Sequence, residues 1–528
     1  MATSQVETSH PSAVPTSAEK LNARSTAIII GVLSISKLVL HLFVNGRYGY
    51  FRDELWYIAC SEHLDWGYVD QPPLIAVTVR LSRILFGDSL QALRLPATLA
   101  GVAVIIFAVL IAREFGGRKY AMWLTGICLL AGGIWLSLSY LMTMNIYEHA
   151  IWTACAYSIV RFINTRNPRY WLWFGVLAGV GLETKYSTGV FGLAIIVGLL
   201  LTRERKVFLD KWIWLGGAAA FLIFVPNLLW NIHYHWPFLE LMRNIRAEGR
   251  DVALPPLQFM MQQALIVLPI SYLACLAGIG WLFFAERGRN YRVLGWTFLT
   301  VLLFFMATHG KHYYVAPIYP MVIAAGAVGI ESWLTSPARR RVGWTFAGVI
   351  AVSGALFAPM SIPLLQVDTY LRYQAASPIK VPVTEHSHAR AALPQTYADQ
   401  FGWTEIVEAT VHAYREIPPQ EQKDCAIFAQ DYGAASAIDF FGPKYGLPKV
   451  ISGDRSYFLW GPRGYSGQCM VILDDRRERL EELFQKVEYI TTSAPNPYAL
   501  ESELPVYICH GPKFGSLQKS WDFVKHWR

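Results

Sequence analysis

Charged residues are scarce in this sequence. Asp, Glu, Lys and Arg make up 16% of its 528 residues, whereas about a quarter is usual for soluble domains. A soluble chain of this length would need more charge to cover its surface. Seven cysteines are too few for a disulfide-rich secreted scaffold, and a hydrophobic share of 54% excludes a disordered chain. A polytopic membrane protein is the class that remains.

The formal net charge of +8 does not indicate a nucleic-acid partner. The basic residues lie mostly in short clusters between apolar runs, which is typical of loops held on the cytoplasmic side of a membrane. We therefore expect membrane lipids, and no nucleic acid, among the partners of this chain.

Long apolar runs predict about eleven transmembrane helices. A helix needs about 20 apolar residues to cross the hydrocarbon core. The predicted spans are 26–45, 91–112, 120–138, 146–163, 170–183, 186–201, 212–229, 260–285, 292–308, 313–334 and 342–363.

Lys and Arg mark every second loop between these spans, as cytoplasmic loops should. The residues concerned are Arg113, Arg118 and Lys119; Arg161, Arg166 and Arg169; Arg203, Arg205, Lys206 and Lys211; Arg287, Arg289 and Arg292; and Arg339, Arg340 and Arg341. This places the N-terminus inside and, after an odd number of spans, the C-terminus outside.

The two ends of the chain differ in composition from the apolar part at 25–363. Residues 1–24 are rich in Ser, Thr, Ala and Pro, which indicates a disordered cytoplasmic tail. Residues 364–528 have the composition of a soluble domain, with buried strands predicted at 425–430, 469–473 and 506–509 and helices at 403–414 and 476–487. We expect a small extracytoplasmic α/β domain there.

Cysteine spacing leaves two alternatives open. Cys425, Cys469 and Cys509 lie in the predicted outer domain, where a disulfide is permitted, but their positions in strands favour buried free thiols slightly. Neither CxxC nor Cys/His spacing indicates a zinc site. No cofactor is predicted with certainty, and a divalent metal is not excluded.

Residues 48–73, in the first outer loop, are the most informative segment: YGYFRDELWYIACSEHLDWGYVDQPP. Interfacial aromatic residues explain its Trp and Tyr, but they do not explain its carboxylates. An acid near the hydrocarbon boundary is costly unless it is paired or functional. Asp53 is therefore either a catalytic acid that accepts a hydroxyl proton or the partner of Arg52 in a structural ion pair.

The stretch RDELWYIACSEHLDWGYVDQPPL, followed by a long apolar chain and a soluble tail, resembles bacterial glycosyltransferase family 39. Its relatives include the protein O-mannosyltransferases and the transferase that adds aminoarabinose to lipid A. The tail segment DYGAASAIDFFGPKYGLPKVISGDRSYFLWGPRG is also similar to bacterial members.

The resemblance implies a C-type glycosyltransferase fold in the bacterial inner membrane, with its site at the outer face. Such enzymes transfer a sugar from a polyprenyl-phosphate donor to a lipid, polysaccharide or protein acceptor, usually with inversion. The family's acid pair corresponds to Asp53 and Glu54, and Asp53 is our candidate for the catalytic carboxylate.

A departing phosphate needs cations or N–H donors nearby, and three helix starts predicted to lie outside offer them. Asn145 precedes one, Lys185 and Tyr186 the second, and Lys311 and His312 the third. Head-group contact by long cations is the alternative for the two lysines. Tyr313 and Tyr314 are interpreted as interfacial. The residues expected to bind substrate are Arg52, Asp70, Gln71, Asn145, Glu148, Lys185, Tyr186, Lys311 and His312.

Two departures weaken any transfer of acceptor identity. Gln71 stands where the aminoarabinose transferases carry a lysine, and Asn145 and Glu148 stand where several relatives carry an aspartate. Glu148 could instead pair with His149 or with another helix. The basic loop at 231–257 is either a lid over anionic lipid or an amphipathic surface helix, and the second is slightly favoured.

Two other functions compete with transfer. A transporter or flippase of an anionic lipid-linked substrate would also need intramembrane cations, but such proteins usually show repeated halves and broken helices near the midplane. The sequence shows neither clearly, and its polar groups collect at one face. A non-catalytic membrane scaffold would not need the concentration of carboxylates and cations at one face.

Overall fold

The structure, a computed structural model, describes residues 17–378, 385–386 and 391–527. Its N-terminal two thirds is a bundle of helices. In chain order these are α1 (Ser17–Val44), α2 (Arg52–Glu62), α3 (Leu74–Phe86), α4 (Leu90–Glu114), α5 (Lys119–Ala131), α6 (Gly133–Tyr140), α7 (Met144–Thr165), α8 (Tyr170–Leu182), α9 (Thr188–Leu200), α10 (Lys211–His233), α11 (Pro237–Ala247), α12 (Pro256–Val267), α13 (Pro269–Phe284), α14 (Arg292–Ala307), α15 (Tyr319–Trp333) and α16 (Pro337–Phe357).

Each of the eleven predicted spans contains helix, and the multi-pass membrane class is confirmed. Six helical stretches among the described residues are long and apolar enough to cross a membrane, or up to eight if each of two bent pairs is one span. The six are Ala23–Val44, Leu90–Glu114, Lys211–His233, Gly288–Ala307, His312–Trp333 and Pro337–Met360. Two others, α8 and α9, are apolar but only 13 residues long.

Helix breaks correct two of the predicted spans. The predicted single helix at 260–285 is wrong, because α12 and α13 meet at 109°. Leu268 lies between them with φ at 85°, and Pro269, which has no N–H to continue the helix, starts α13. A gentler bend of 61° separates α5 from α6 at Gly132.

The structure also describes three segments that were predicted as loop or tail. The first outer loop contains the helix α2, and α3 after it was not predicted. Helix α1 begins at Ser17, inside the segment 1–24 that was predicted as a disordered cytoplasmic tail, while residues 1–16 lie outside the described part. In the basic loop, α11 is amphipathic, as the favoured alternative held, and its Leu241 is buried against Val69 and Trp527.

The C-terminal part is a small sheet domain. Its elements are α17 (Val367–Ala376), α18 (Gln395–Ala398), α19 (Trp403–Glu416), β1 (Cys425–Ala429), α20 (Tyr432–Phe441), α21 (Arg455–Trp460), β2 (Cys469–Leu473), α22 (Arg477–Leu483), β3 (Phe484–Thr492) and β4 (Pro505–Pro512). The strand order is β1-β2-β4-β3, with β1 and β2 parallel and the other pairs antiparallel. The three predicted strands are confirmed.

Two predictions for this domain need correction. The predicted helix at 476–487 ends at Leu483, because the following residues, rich in β-branched and aromatic side chains, pair with β4 instead. Cys425 and Cys469, neighbours across β1 and β2, form a disulfide, so the slight preference for free thiols is wrong for this pair. Cys509 is a buried free thiol.

The sheet domain packs directly on the helical part. Helix α2 lies against α20, and Trp56, Tyr432 and Tyr457 belong to one continuous cluster of buried side chains. The start of α2 is therefore held from both sides, by the bundle and by the sheet domain.

Candidate active site

A cavity of about 340 Å³ opens beside the start of α2. Four residues predicted from the sequence line it: Asp53, Asn145, Lys311 and His312. Much of the remaining wall is apolar, supplied by the α5–α6 bend and the α12–α13 break. The cavity therefore combines two carboxylates, those of Asp53 and Glu385, and cationic or polar groups with a surface suited to a hydrocarbon chain.

Asp53 is held from the sheet domain. The hydroxyl of Tyr432 donates a hydrogen bond of 2.8 Å to Oδ1 of Asp53. Burial raises the pKa of Asp53, and the Tyr432 hydrogen bond and the positive charge of Arg52 oppose that rise. A half-buried carboxylate with a raised pKa that lines a cavity is suited to accept a proton.

Arg52 does not form the ion pair that was the alternative for Asp53. Its guanidinium pairs with Glu501 of the sheet domain and lies over the ring of Tyr432, 5.6 Å from its centroid. Its backbone N–H donates to the carbonyl of Asp399 at 3.0 Å. Arg52 thus fastens α2 to the sheet domain and adds positive charge near Asp53.

Glu54 is fully engaged in structural contacts. Its two oxygens accept from Nε and Nη2 of Arg94, each at 2.8 Å, and from the backbone N–H groups of Phe51 at 2.9 Å and Met142 at 2.8 Å. Both partners of the ion pair are completely buried. Four donors leave this carboxylate no free lone pair for a substrate proton, so the arrangement does not favour the predicted catalytic role.

Asp70 and Gln71 lie behind α2, away from the cavity lining. Trp56 Nε1 donates to both oxygens of Asp70, at 3.3 and 3.1 Å. Burial raises the pKa of Asp70 to about 6, with Arg455 opposing and Asp53 adding to the rise. Gln71 is fully buried beside Cys60, which does not favour its predicted contact with substrate.

Asn145, Glu148 and Lys185, each predicted separately to bind substrate, form one network. Nζ of Lys185 donates to Oδ1 of Asn145 at 2.8 Å and to Oε2 of Glu148 at 3.1 Å, and Ser187 donates to Glu148 as well. Of the three, only Asn145 lines the cavity. Glu148 does not pair with His149. Its partners Lys185 and Ser187 lie just before α9, so the contact is with another helix, the other partner that the alternative allowed.

Aromatic residues surround this network. Lys185 Nζ lies 4.4 Å from the ring centroid of Tyr314, while Tyr313 lines the cavity. Tyr186 accepts a hydrogen bond from Asn231 at 3.1 Å and packs on Phe238. Tyr186 is thus near the site without lining it.

Lys311 is the cation with the most direct access to the cavity. Its Nζ pairs with Glu385 at 2.9 Å and Asp251 at 3.2 Å, and Arg250 donates to the other oxygen of Glu385 at 2.9 Å. Burial alone would raise the pKa of Glu385, but the positive charges of Lys311 and Arg250 hold this pKa at about 2. Two cations therefore converge on one carboxylate at the cavity wall, a geometry that also suits an anionic ligand oxygen.

His312 is buried at the same wall. Its backbone carbonyl accepts from Nε2 of Gln263 at 3.0 Å, which ties this short 3₁₀ segment (His312–Ile318) to α12. In the part of the chain that the structure describes, no group of three or more His, Cys, Asp or Glu side chains could hold a metal ion.

Sequence reasoning missed Tyr432, Arg455, Arg250 and Glu385 as residues of this site. Tyr432 and Arg455 belong to a tail segment that indicated membership of the family but gave no contact. Arg250 was seen only as part of a basic loop, and the sequence around Glu385 carries no pattern that could have marked it.

Comparisons with known proteins agree with the resemblance to the glycosyltransferase family. The sequence model of the dolichyl-phosphate-mannose-protein mannosyltransferase family matches residues 70–230. A lipid A galacturonosyltransferase, RgtD of Rhizobium johnstonii, is 25% identical over 308 residues, which cover 56% of this chain and 62% of that protein. The match thus spans less than two thirds of the relative's length.

Solved structures show the fold. The ArnT of Cupriavidus metallidurans, crystallised with undecaprenyl phosphate, superposes with a TM-score of 0.58 at 15% identity, covering 92% of this chain and 98% of that one. Its apo form gives a TM-score of 0.57. The predicted fold class, a C-type helical bundle with a C-terminal sheet domain, and the predicted glycosyltransferase resemblance are confirmed.

Proposed function

We propose that this chain is a member of glycosyltransferase family 39 of the C-type superfamily, and that it transfers a sugar from a polyprenyl-phosphate donor to a lipid acceptor. The observation that carries this proposal is the single cavity in which Asp53 lies with Lys311 and His312 beside apolar walls. A carboxylate, anion-binding groups and a hydrocarbon surface are what such a transfer requires in one place.

The names of the relatives support the substrate classes. The matching family is named for a prenyl-phosphate mannose donor, the solved structure holds undecaprenyl phosphate, and RgtD is named as acting on lipid A. The name of the matching family also includes a protein as acceptor. We favour a lipid acceptor after RgtD, and a protein or polysaccharide stays as another outcome of the experiment.

The chemistry follows from the positions of the charged groups. Asp53 takes the proton of the acceptor hydroxyl, whose oxygen forms a bond to the anomeric carbon of the sugar. The bond from that carbon to the phosphate oxygen breaks, and its electron pair leaves with the phosphate. Lys311 and His312 stabilise the growing negative charge of the phosphate, and attack opposite the leaving group gives inversion.

Binding of the donor also explains the paired charges around Lys311. Glu385 and Asp251 neutralise this cation in the described state. A phosphate that enters the cavity would take over part of their contacts, since it offers equivalent anionic oxygens.

The location of the protein belongs to the same proposal. The helical domain at 25–363 lies in the bacterial inner membrane, and the domain at 364–528 lies on the periplasmic or extracellular side. The alternating basic loops support this orientation. Lys311, His312 and Asp53 then stand at the outer face, where a lipid-linked donor and a lipid acceptor can meet.

Proteoliposomes containing the purified protein test the proposal. They receive radiolabelled polyprenyl-phosphate hexoses or pentoses together with lipid A, and label should move from donor to acceptor lipid. Matched liposomes with Asp53→Asn protein control for contaminating activity. Label in glycan or protein would correct the acceptor. Movement of a fluorescent prenyl phosphate across the bilayer without transfer would instead favour the flippase.

A further inference from the structure

One side chain of the sheet domain, Tyr432, donates a hydrogen bond to Asp53 at the cavity wall. Tyr432 stands at the start of α20, directly after β1, where the side chain of Asp431 caps the helix by accepting from the N–H groups of Gly433 and Ala434. The N–H of Tyr432 itself donates to Oδ2 of Asp454 at 3.2 Å. The backbone of Tyr432 is therefore fixed on both sides before its side chain is considered.

The ring of Tyr432 is fixed as well. It is buried between two guanidinium groups, with Arg52 at 5.6 Å and Arg455 at 5.0 Å from its centroid. Trp56 of α2 contacts its edge at a centroid distance of 5.9 Å. Such cation–π contacts are strongest where water is excluded, so the hydroxyl is aimed at one point.

That point is Oδ1 of Asp53, 2.8 Å away. In the described part of the chain, Oδ2 of Asp53 has no hydrogen-bond partner, while Asp53 lines the cavity. One oxygen is thus anchored and the other is available to a ligand.

We infer that Tyr432 is a positioning residue for the proposed transfer: its hydroxyl orients the Asp53 carboxylate, so that the C-terminal sheet domain completes the active site. The inference rests on the proposed function only for what Asp53 does, since the contact itself is independent of any substrate. It gives the sheet domain a role that the chain's family resemblance does not specify.

Other groups near Asp53 must be considered before its titration is used as a test. Arg52 on the same helix and Arg455 on α21 favour its charged form, whereas Asp399 and Asp70 oppose it. Tyr57, also on α2, and Tyr432 are neutral in the working range, because proximity to Asp53 and burial raise the pKa of both. Removal of one neutral hydroxyl leaves all these charges in place.

The main variant is Tyr432→Phe, which keeps the ring between the two arginines and removes only the hydrogen bond. Tyr457→Phe is the matched control. Tyr457 also lies in the sheet domain, packs on Trp56 at a centroid distance of 5.6 Å, and donates its hydroxyl to a carboxylate, Asp439, at 3.0 Å. It does not contact Asp53.

We expect Tyr432→Phe to lower kcat by about 10-fold or more, the usual effect of losing a hydrogen bond to a charged group, with little change in the donor KM. The acidic limb of the pH profile should move to higher pH, because a stabiliser of the charged carboxylate is gone. Replacement of Tyr432 by 3-fluorotyrosine, a stronger donor of the same shape, should move the limb to lower pH. Tyr457→Phe should leave the limb in place.

A second measurement, chemical labelling of Asp53, does not depend on sugar transfer. Dicyclohexylcarbodiimide reacts with protonated carboxyl groups in apolar surroundings, so the pH of half-maximal labelling of Asp53, followed by mass spectrometry, reports its protonation. This pH should rise in Tyr432→Phe and not in Tyr457→Phe. Because membranes can be labelled without purification, a loss of detergent stability does not remove the test.

The two proposals can fail separately. If the wild-type protein transfers no sugar but the labelling shift occurs, the proposed function is wrong and the positioning of Asp53 stands. If the wild-type protein is active and neither kcat nor labelling changes in Tyr432→Phe, the positioning role is overturned. An equal shift in the Tyr457→Phe control would also overturn it, by indicating a general effect of the domain.

Discussion

Exchange of the Glu54 carboxylate for an amide should destabilise the protein, whereas the same exchange at the adjacent Asp53 should remove activity. All four groups that contact the Glu54 carboxylate are donors: two N–H groups of Arg94 and the backbone N–H groups of Phe51 and Met142. In Glu54→Gln the amide nitrogen can accept from none of them. The two adjacent acids are thus predicted to have different effects: Glu54→Gln should lower stability, and Asp53→Asn should lower activity.

The magnitude follows from these contacts. Two donors lose their acceptor, and a hydrogen bond that involves a charged group contributes about 1.5–3 kcal/mol. Arg94 also loses its charged partner while it stays completely buried, and breaking a buried pair in this way costs about 3–5 kcal/mol. We expect a loss of stability in that range, which for 528 residues with the usual unfolding entropy of about 2.1 cal/mol/K per residue is a fall in Tm of about 3–5 °C.

Asp53→Asn should behave in the opposite way. Burial raises the pKa of Asp53, which means that folding disfavours its charged form, so replacement by a neutral amide should cost little stability. Tyr432 can still donate to the amide oxygen. Transfer should fall by at least about 100-fold, the lower end of what a general base contributes.

The pH profile adds a check on the same residue. A general base acts in its charged form, so activity is lost as the pH falls through its pKa. Because that pKa is raised, the acidic limb of kcat/KM in the wild-type protein should lie above the usual value for Asp, about 3.9. Asp53→Asn should lack this limb in its residual activity.

Thermal unfolding of the detergent-purified proteins and transfer in proteoliposomes provide the two measurements, with each variant serving as the control for the other. The reasoning is refuted if Glu54→Gln is as stable as the wild-type protein and has lost transfer while Asp53→Asn transfers normally. In that case Glu54 would be the base, and the four contacts would not describe its working state.

Other expectations follow from the remaining contacts. His312→Ala should raise the donor KM by about 10-fold or more with unchanged Tm. Lys185→Ala should raise the donor KM and also lower Tm, because the buried carboxylate of Glu148 loses its partner. An unchanged donor KM in both variants would place the phosphate elsewhere. Reporter fusions after Arg341 and at the C-terminus should report opposite sides, and the same side would contradict the orientation. Joint replacement of Cys425 and Cys469 by Ala should lower stability by up to about 4 kcal/mol, since the disulfide closes a loop of 44 residues. Chemical reduction of the wild-type protein should likewise lower its Tm, and an equal Tm for the oxidised and reduced forms would argue against this.

The amino-acid sequence predicted the helical architecture well, because membrane insertion is decided locally. Each apolar run of sufficient length became helix, since the hydrocarbon core requires every backbone group to be bonded within its own segment. The strands of the sheet domain were also legible as short apolar runs. Where local signals conflicted the prediction failed, as at Leu268 and Pro269, where an apolar run that reads as one span turns by 109°.

The site was predicted in part. Asp53, Asn145, Lys311 and His312 were selected from short motifs and lie around one cavity, although they are spread over about 260 positions of the chain. Their function remains a proposal. The motif could not distinguish Asp53 from Glu54, because neighbouring residues of a helix point about 100° apart and only their surroundings decide which one is saturated.

The sequence by itself determined the class of the protein, its helices, the family resemblance and a short set of candidate residues, because hydropathy, helix starts and motifs are properties of neighbouring residues. Only the tertiary structure decided how these residues are used. In the folded protein Glu54 forms an ion pair with Arg94, and Lys311 forms one with Glu385. Tyr432, which lies 379 positions from Asp53 in the chain, donates a hydrogen bond to it. The contacts of Lys311 and Tyr432 depend on how the C-terminal part docks on the bundle, and the contact of Glu54 depends on how α2 packs beside α4. No local pattern in the chain specifies either arrangement.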